Sequence, residues 1–397
     1  MFCVSKLAFL IFYTTLWHVE PAESDDPPGH LQPFGNHMPP FEIDVIDTPP
    51  TAQEFLDKYI KVNKPVVIKG AAKVFDIFKT WKDDEYLRIK YGKWISPIEL
   101  AKIESGPEGL IARMPFSWFL SNYEKKDLAI LRDIASTNPM RDEISVLKSM
   151  SCGGFKDLLT DVIFIFSSGS GESAIHWDPA ENMHCLLDGT KDWAIIHRKD
   201  RHILPKSKES SMYTSVNQSS IDMYKYPVMQ DIPWYHAFIE AGDCIFVPNS
   251  SPHYVRSGDS RNMAISVWFV VPGSLNLTDC PEDEADLPDS APVGRGHVSR
   301  LDHIKSMVYM LINDRSGNIS LPTFIENGVG LYQLEEFGYM IFEAIDENED
   351  EVITSEEIEA LTDVSEEFWN VFSDNKKEYF VIEENGNIKD MIKKEEL

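Results

Sequence analysis

Five short runs of β-branched and aromatic residues in the middle of the chain constrain its fold most strongly. Each run leads into glycine, proline or polar turn residues. Such runs predict strands, and their close succession predicts an antiparallel sandwich or barrel of the jelly-roll type. The runs are residues 161–168 (DVIFIFSS), 183–189 (MHCLLDG), 191–198 (KDWAIIHR), 243–248 (DCIFVP) and 263–272 (MAISVWFVVP).

The sequence before these strands predicts a small α/β entry region. Residues 51–60 (TAQEFLDKYI) and 83–92 (DDEYLRIKYG) have the apolar spacing of helices, on either side of a short strand at 65–70 (PVVIKG). A largely helical stretch is predicted from there to about Leu158. The predicted fold class of this part is therefore α+β, with helices and strands in front of the jelly roll.

The sequence after the strands changes character twice. Residues 276–300 are acidic and proline-rich, which predicts a linker. Residues 301–312 (LDHIKSMVYMLI) and 334–345 (LEEFGYMIFEAI) then repeat apolar residues at intervals of three and four. An all-α domain is therefore predicted over residues 301–392.

The net negative charge of the chain limits the classes of molecule that it is expected to bind. The 397 residues carry a formal net charge of -28, and the pI is near 4.7. Nucleic acids and anionic lipids present phosphates, which repel such a chain. Nucleic acid is therefore excluded as the expected partner, while 43% hydrophobic residues are enough for a sizeable core.

Both ends of the chain carry features of a secretory protein. Residues 1–22 contain one lysine and the apolar run LAFLIFYTTLW, a pattern typical of a signal peptide. Residues 394–397 (KEEL) resemble the tetrapeptide that retrieval receptors bind in the endoplasmic reticulum. The predicted location is the endoplasmic reticulum lumen, with no membrane span in the mature chain.

The cysteines and glycosylation sequons agree with an oxidising compartment. Four cysteines remain after residues 1–22 are removed, and they allow three pairings or four separate buried thiols. The four cysteines are Cys152, Cys185, Cys244 and Cys280. The sequons begin at Asn217, Asn249, Asn276 and Asn318.

A His-x-Asp pair and a distant histidine predict a metal site. His176 and Asp178 follow the first predicted strand, and alternation along an extended chain places both side chains on one side. His253 follows the predicted strand at 243–248 and a proline-containing turn. Two histidines and one carboxylate are the ligands of non-haem iron(II) oxygenases, and these three are the predicted catalytic and iron-binding residues.

Lys191 completes this pattern. A 2-oxoglutarate cosubstrate chelates such a metal at one end and needs a cation for its far carboxylate. Lys191 lies fifteen residues after His176, at the start of a predicted strand. A lysine beside a barrel core is unusual unless it is paired.

The combination of motifs resembles the JmjC, or cupin-like, family of iron(II)- and 2-oxoglutarate-dependent oxygenases. The motifs are IHWD (175–178), DGTKDWAIIH (188–197) and GDCIFVPNSSPH (242–253), and the entry region EFLDKYIKVNKPVVIKG (54–70) is similar too. The resemblance covers residues 40–275 and implies a double-stranded β-helix.

The resemblance also implies roles for individual residues. It implies iron ligands His176, Asp178 and His253, and a cosubstrate site in which the Ser173 hydroxyl assists Lys191. Asn182 matches a polar position near the metal-bound end of the cosubstrate in some members.

A second metal pattern occupies residues 346–357 (DENEDEVITSEE). A calcium-binding EF-hand loop places oxygen ligands at positions 1, 3, 5, 7, 9 and 12. Glu351 stands where glycine is usual, and this should weaken calcium binding. Residues 312–324 resemble a degenerate partner hand, with Ile319 placed to pair with Ile353. The predicted calcium ligands are Asp346, Asn348, Asp350, the Val352 carbonyl, Thr354 and Glu357.

These features together predict a 2-oxoglutarate-dependent dioxygenase with a calcium-binding EF-hand. A protein substrate in the secretory pathway is expected, with hydroxylation as the predicted reaction class. The alternative is a calcium-binding scaffold or chaperone-like protein on a catalytically silent JmjC fold.

Overall fold

Two β-sheets of unequal size face each other in the computed structural model of the chain. The strands are, in chain order, β1 (Asp44–Ile46), β2 (Val66–Ile68), β3 (Ile95–Glu99), β4 (Ile111–Pro115), β5 (Ala129–Asp133), β6 (Ser145–Leu147), β7 (Leu159–Ser167), β8 (Glu181–Asp188), β9 (Thr190–Ile196), β10 (Trp234–Glu240), β11 (Cys244–Val247), β12 (His253–Ser257), β13 (Asn262–Phe269), β14 (Ser290–Pro292), β15 (Asn318–Ser320), β16 (Val352–Thr354), β17 (Tyr379–Ile382) and β18 (Ile388–Ile392). The structure describes residues 26–102, 111–135, 137–208, 212–271, 275–281, 287–294, 304–305, 308–309, 311–312, 318–325, 338–361, 379–382 and 388–392.

The large sheet has the order β1-β2-β11-β8-β13-β7-β5-β3-β4-β17-β18, and the small sheet has the order β10-β9-β12. Strands β8, β13, β11 and β7 pair antiparallel with their neighbours in the centre of the large sheet. The predicted jelly-roll β-sandwich is confirmed, and the five runs that predicted it are β7, β8, β9, β11 and β13.

The helices whose bounds the structure describes are short. They are α1 (Ala52–Phe55), α2 (Ile77–Thr80), α3 (Asp84–Tyr91), α4 (Phe116–Asn122), α5 (Gly338–Ile345) and α6 (Ser355–Ala360). Phe55 of α1 packs against Phe246 and Phe269 in the centre of the large sheet. A π-helical turn at Leu56–Ile60 continues α1. Thr51 begins α1 with a capping box, because its side chain accepts from Glu54 N while the Glu54 carboxylate accepts from Thr51 N.

The segment from α3 to Leu158 is not largely helical, and that prediction was wrong. It contributes β3, β4 and β5 to the large sheet, with α4 between β4 and β5. Burial alternates along β3 and β4, as expected for strands with one face on the core. The strands were missed because each is only five residues long and polar residues alternate with apolar ones.

Strand β8 separates the main core from the interior between the sheets. Met183, Cys185 and Leu187 pack into the main core. Leu186 belongs to a second cluster between the two sheets, together with Trp193 of β9. Because side chains alternate across a strand, the even-numbered residues of β8 face this interior.

Two disulfides settle the cysteine pairing. Cys185 and Cys244 are directly opposite on β8 and β11 and are bonded. Cys152 bonds Cys280, 128 residues away. All four cysteines beyond residue 22 are therefore paired.

The acidic stretch predicted as a linker is attached to the jelly roll where the structure describes it. Leu275 and Leu277 pack against the main core, Cys280 is held by its disulfide, and β14 pairs with β6. Residues 1–22 and 394–397 lie outside the described residues. Within the described parts, no helix is long and apolar enough to cross a bilayer.

The described residues beyond 300 form a small core of their own around Phe324, Phe342 and Ile358. Strands β15 and β16 pair antiparallel, with Ile319 opposite Ile353, as the sequence predicted. Strand β17 is parallel to β4 and joins the large sheet. Strands at residues 379–392 were not expected from the sequence, which predicted helices throughout this part.

Replacing both Cys152 and Cys280 with alanine should lower the free energy of unfolding by about 2–5 kcal/mol. The bridge closes a long loop and so restricts the unfolded chain. Urea unfolding in oxidising buffer measures this free energy. The control is unfolding of the parent protein in a reductant, which breaks both disulfides. An unchanged unfolding midpoint would contradict the prediction.

Candidate metal and dicarboxylate site

A short backbone pairing brings His176 and His253, two of the predicted metal ligands, next to each other. His176 N donates to His253 O at 3.2 Å, and His253 N donates to His176 O at 2.7 Å. The two residues are 77 positions apart in the chain, yet they form an antiparallel bridge at the start of β12. The pairing places both imidazoles at one end of the interior between the sheets.

Asp178 lies between the two imidazoles. Its Oδ1 is 3.8 Å from His176 Nε2, and its Oδ2 is 3.6 Å from His253 Nε2. One ligand atom from each residue lies within 4.8 Å of the other two. Three atoms at such spacings can each lie about 2 Å from one ion, the usual distance for nitrogen and oxygen ligands.

Hydrogen bonds fix the orientation of both histidines. His176 Nδ1 is 2.9 Å from Ala174 O, and His253 Nδ1 is 3.0 Å from Ser251 O. A carbonyl only accepts, so each Nδ1 carries the hydrogen and Nε2 presents its lone pair toward Asp178. This is the tautomer that a metal ligand requires.

Burial keeps His253 in the neutral form. Its side chain is almost completely enclosed, and burial together with the neighbouring His176 lowers its pKa to about 4. The imidazole is therefore unprotonated at neutral pH and able to bind a metal without first losing a proton.

Lys191 is a buried cation at the other end of the interior. It is 5% exposed, and burial lowers its pKa to about 8. Its Nζ donates to Ser257 Oγ at 3.1 Å, and among the described residues no carboxylate lies within 4.0 Å of it. Burying a cation with only a hydroxyl partner is costly, so Lys191 suits an anionic ligand.

The register of the small sheet relates Lys191 to the metal ligands. Lys191 is opposite Ser257, and Ile195 is opposite His253. Four residues along β9 therefore separate the two ends, roughly 13 Å of strand. Because Lys191 and Ile195 are an even number of residues apart, they point to the same side of β9.

The two other predicted cosubstrate residues lie beside this interior. Ser173 Oγ accepts from Val255 N at 3.0 Å, which puts its hydroxyl next to β12 between His253 and Ser257. Asn182 is 5% exposed and stands opposite both Val247 and Trp268 at the metal end of β8.

Several buried polar atoms that face the same interior have no hydrogen-bond partner within the described part of the chain. They are Asn182 Oδ1, His184 Nε2, Trp193 Nε1 and Trp268 Nε1. Buried polar atoms are nearly always satisfied, so this interior is suited to a polar ligand.

The sequence reasoning missed His184, Trp193 and Trp268. Strand alternation could have found His184, because it lies two residues after Asn182 on a predicted strand. It also missed Tyr213, whose ring stacks on His176 at 5.4 Å between centroids. Nothing in the sequence near Tyr213 signals that contact.

The predicted calcium loop begins after α5, includes β16 and ends in the first turn of α6. Hydrogen bonds to its acidic residues close it. Asp346 Oδ1 and Oδ2 accept from Asp350 N and Glu351 N, and Glu357 Oε2 accepts from Thr354 N. Glu351 has a φ of 63°, the left-handed conformation for which glycine is favoured. Asn348 Oδ1 accepts from Asp350 N, and Val352 N donates to Asp350 Oδ1.

The fold and this site define a jelly-roll protein with a His-x-Asp…His cluster that could hold a metal ion. Residues 51–273 match the family model of the cupin-like domain. The match covers more than half of the chain, and the chain belongs to this cupin-like family.

Relatives with named functions are distant. The JmjC domain-containing protein 5 of Drosophila melanogaster is 22% identical over 256 residues, which cover 60% of this chain and 62% of that protein. Lysine-specific demethylase 8 of Xenopus tropicalis is 22% identical over 228 residues, which cover 55% and 51%. The human bifunctional peptidase and (3S)-lysyl hydroxylase JMJD7 is 19% identical over 279 residues, which cover 58% and 84%. The chain thus spans only 51% to 62% of the length of the first two.

Replacing His176 with alanine should weaken Mn²⁺ binding at least about 100-fold, because one of three ligands is lost. Calorimetric titration of the purified chain measures this. His236→Ala is the matched control, since that exposed histidine of β10 bonds Asp192 at 2.6 Å, away from the cluster. Equal loss in both variants would contradict a metal site at His176.

Raising the pH from 7 to 9 should weaken binding of a dicarboxylate to the metal-loaded chain by about tenfold. A lysine with a pKa of about 8 is mostly charged at pH 7 and mostly neutral at pH 9. Binding measured across this range in Lys191→Met should be about 100-fold weaker or more and should not vary with pH. A pH dependence that persists in the variant would assign it to another group.

Proposed function

We propose that the chain is an iron(II)- and 2-oxoglutarate-dependent oxygenase that hydroxylates a protein side chain. One observation carries the proposal. The three side chains that could bind a metal and the buried Lys191 lie at opposite ends of the interior between the two sheets. Among the described residues no carboxylate lies within 4.0 Å of Lys191, whose Nζ donates to Ser257 Oγ. A ligand that chelates a metal at one end and carries an anion at the other fits this arrangement.

The residues present fit the iron. Two imidazoles and one carboxylate are the ligands of non-haem iron(II) oxygenases, which keep further positions for cosubstrate and oxygen. His176, Asp178 and His253 would hold the ion. Because each Nδ1 donates its hydrogen to a backbone carbonyl, Nε2 of both histidines carries the lone pair that would bind the ion.

The residues also fit 2-oxoglutarate. Lys191 would pair with its far carboxylate, and Ser173 and Asn182 would contribute polar contacts along its length. The unpartnered atoms of Trp193 and Trp268 are indole N–H groups, which only donate. Donors without partners suit a ligand that is rich in acceptor oxygens.

When bound, the iron and 2-oxoglutarate would supply the oxidising power, which protein side chains cannot provide. The chain's own residues hold the ligands, keep Nε2 of both histidines unprotonated, and enclose the reacting centre. Trp193 packs 5.6 Å from the His253 ring and 5.0 Å from the His184 ring, which limits water between them.

The substrate class is inferred from the relatives. Their names describe demethylases that act on lysine and a lysyl hydroxylase. We propose protein side-chain hydroxylation for this chain, and we place it in the endoplasmic reticulum lumen with a retrieval receptor as partner. The pairing of all four cysteines beyond residue 22 supports an oxidising compartment.

The sequon at Asn249 is poorly placed for a glycan. Arg198 Nη1 donates to Asn249 Oδ1 at 2.8 Å, and Ser251 is 2% exposed. Asn217, Asn276 and Asn318 are exposed and are the better candidates in the described residues.

The metal-loaded chain should release succinate from 2-oxoglutarate when iron and ascorbate are supplied, slowly in the absence of a substrate. His176→Ala should reduce the rate at least about 100-fold, because the iron is lost. His236→Ala should retain the parental rate. Metal-dependent cosubstrate binding without any succinate would instead favour a silent scaffold on this fold.

We propose further that residues 346–357 bind calcium as one EF-hand. The loop runs from the end of α5 through β16 into the first turn of α6, and the pairing of Ile319 with Ile353 is the contact expected between two hands. Tyr309 packs against both the small C-terminal core and the jelly-roll residues Ala180 and Val270. Its hydroxyl donates to Glu359 in α6, so this tyrosine contacts both parts of the chain.

Calcium binding should be lost in Glu357→Gln, which removes the charge of the residue that supplies two oxygens to the ion. Glu351→Gly should bind more tightly than the parent by about fivefold, since glycine adopts a φ of 63° at less cost. Terbium luminescence titrated against calcium measures both. Glu356→Gln is the control, and loss in it to the same extent would show nonspecific binding to acidic residues.

A further inference from the structure

His184 is a buried polar residue to which neither the motifs nor the metal cluster give a role. It is 2% exposed and lies in the middle of β8. It stands opposite Ile245 of β11 and Ser266 of β13. By strand alternation it points, with Asn182 and Leu186, into the interior between the sheets.

Only one ring nitrogen of His184 is satisfied. Nδ1 is 2.8 Å from Ser266 Oγ, while the buried Nε2 has no hydrogen-bond partner among the residues that the structure describes. The ring meets the edge of Trp193 at 5.0 Å between centroids. A buried imidazole nitrogen without a hydrogen-bond partner lowers the stability of the folded chain, unless a ligand forms that hydrogen bond.

The position of His184 relates it to both ends of the site. The Trp193 ring lies 5.0 Å from the His184 ring and 5.6 Å from the ring of His253 at the metal end. Trp193, which it touches, is two residues from Lys191 on the same face of β9. A molecule that extends from the metal to Lys191 would therefore pass His184.

We propose that His184 Nε2 is a second anchor, beside Lys191, for the far carboxylate of the dicarboxylate cosubstrate. This rests on the proposed function. A carboxylate only accepts, so Nε2 must carry the hydrogen, and the Ser266 hydroxyl then donates to Nδ1. Both ring nitrogens and the serine are satisfied in this arrangement.

Two amide substitutions separate this role from a structural one. Asparagine places its amide near the position of Nδ1, where it keeps the contact with Ser266 but does not reach the position of Nε2. Glutamine is one methylene longer and places its amide near Nε2. A residue that merely supported Ser266 would be replaced better by asparagine, whereas a ligand anchor is replaced better by glutamine.

The experiment measures 2-oxoglutarate binding to the full chain with Mn²⁺ in place of iron, by tryptophan fluorescence and calorimetry. His184→Asn should raise the Kd for 2-oxoglutarate about tenfold to 100-fold, the cost of losing a hydrogen bond to a charged group. His184→Gln should remain within about threefold of the parent. Oxalate chelates the metal but has no far carboxylate, so its Kd should change less than about twofold in both variants.

Met183→Leu is the matched control, because it lies on the same strand but faces the main core. Equal 2-oxoglutarate affinity in the parent and His184→Asn would overturn the proposal, and so would equal weakening of oxalate and 2-oxoglutarate. If His184→Asn fails to fold, the glutamine variant alone decides. The proposal is then overturned if His184→Gln binds 2-oxoglutarate more than tenfold worse than the parent while the two proteins bind oxalate equally well.

The proposed function fails differently. In that case the parent itself shows no metal-dependent binding of 2-oxoglutarate, whatever residue stands at position 184. Parental binding that is lost in Lys191→Met but unchanged in His184→Asn rejects only the role of His184.

Discussion

The pair of backbone hydrogen bonds between His176 and His253 determines the rest of the site. Side chains opposite each other in an antiparallel bridge are held within a few ångströms, so the bridge sets the distance between the two imidazoles, whose ring centroids lie 4.5 Å apart. Asp178 then reaches both because it is two residues further along the same extended segment. A slip of one residue in this pairing would turn one histidine away and remove the site.

The second constraint is the buried charge of Lys191. A folded protein tolerates such a residue only where the loss of hydration is offset. Within the described residues the offset is a single hydroxyl, that of Ser257. Burial of Lys191 destabilises the fold locally, and such destabilising positions are expected at sites that bind a ligand. The two sheets hold the lysine and the metal cluster at a separation fixed by the register of β9 and β12.

Much of this arrangement could be predicted from the sequence, for identifiable reasons. The strands β7, β8, β9, β11 and β13 are rich in β-branched and aromatic residues, which mark buried strands strongly. Strands β3, β4 and β5 carry alternating polar residues and were mistaken for helix, and β10 and β12 were not singled out. The metal ligands and Lys191 could be proposed because their spacing is distinctive.

Other parts of the site depend on pairing between distant strands. The contact of His184 with Ser266 exists only because β8 and β13 pair in one particular register, and sequence patterns do not specify register between strands 82 residues apart. The same holds for the stacking of Tyr213 on His176. The choice among the three cysteine pairings likewise required the register of β8 against β11.

Because side chains alternate along a strand, the residues of β8 fall into two sets that face opposite sides of the sheet. Met183, Cys185 and Leu187 belong to the main core, while Asn182 and His184 face the site. Substitutions at one set therefore change what the interior can bind, and substitutions at the other change how firmly the sheets hold together, with little interference between them. Variation in ligand preference can accumulate on one face of this strand while the disulfide and core on its other face preserve the fold.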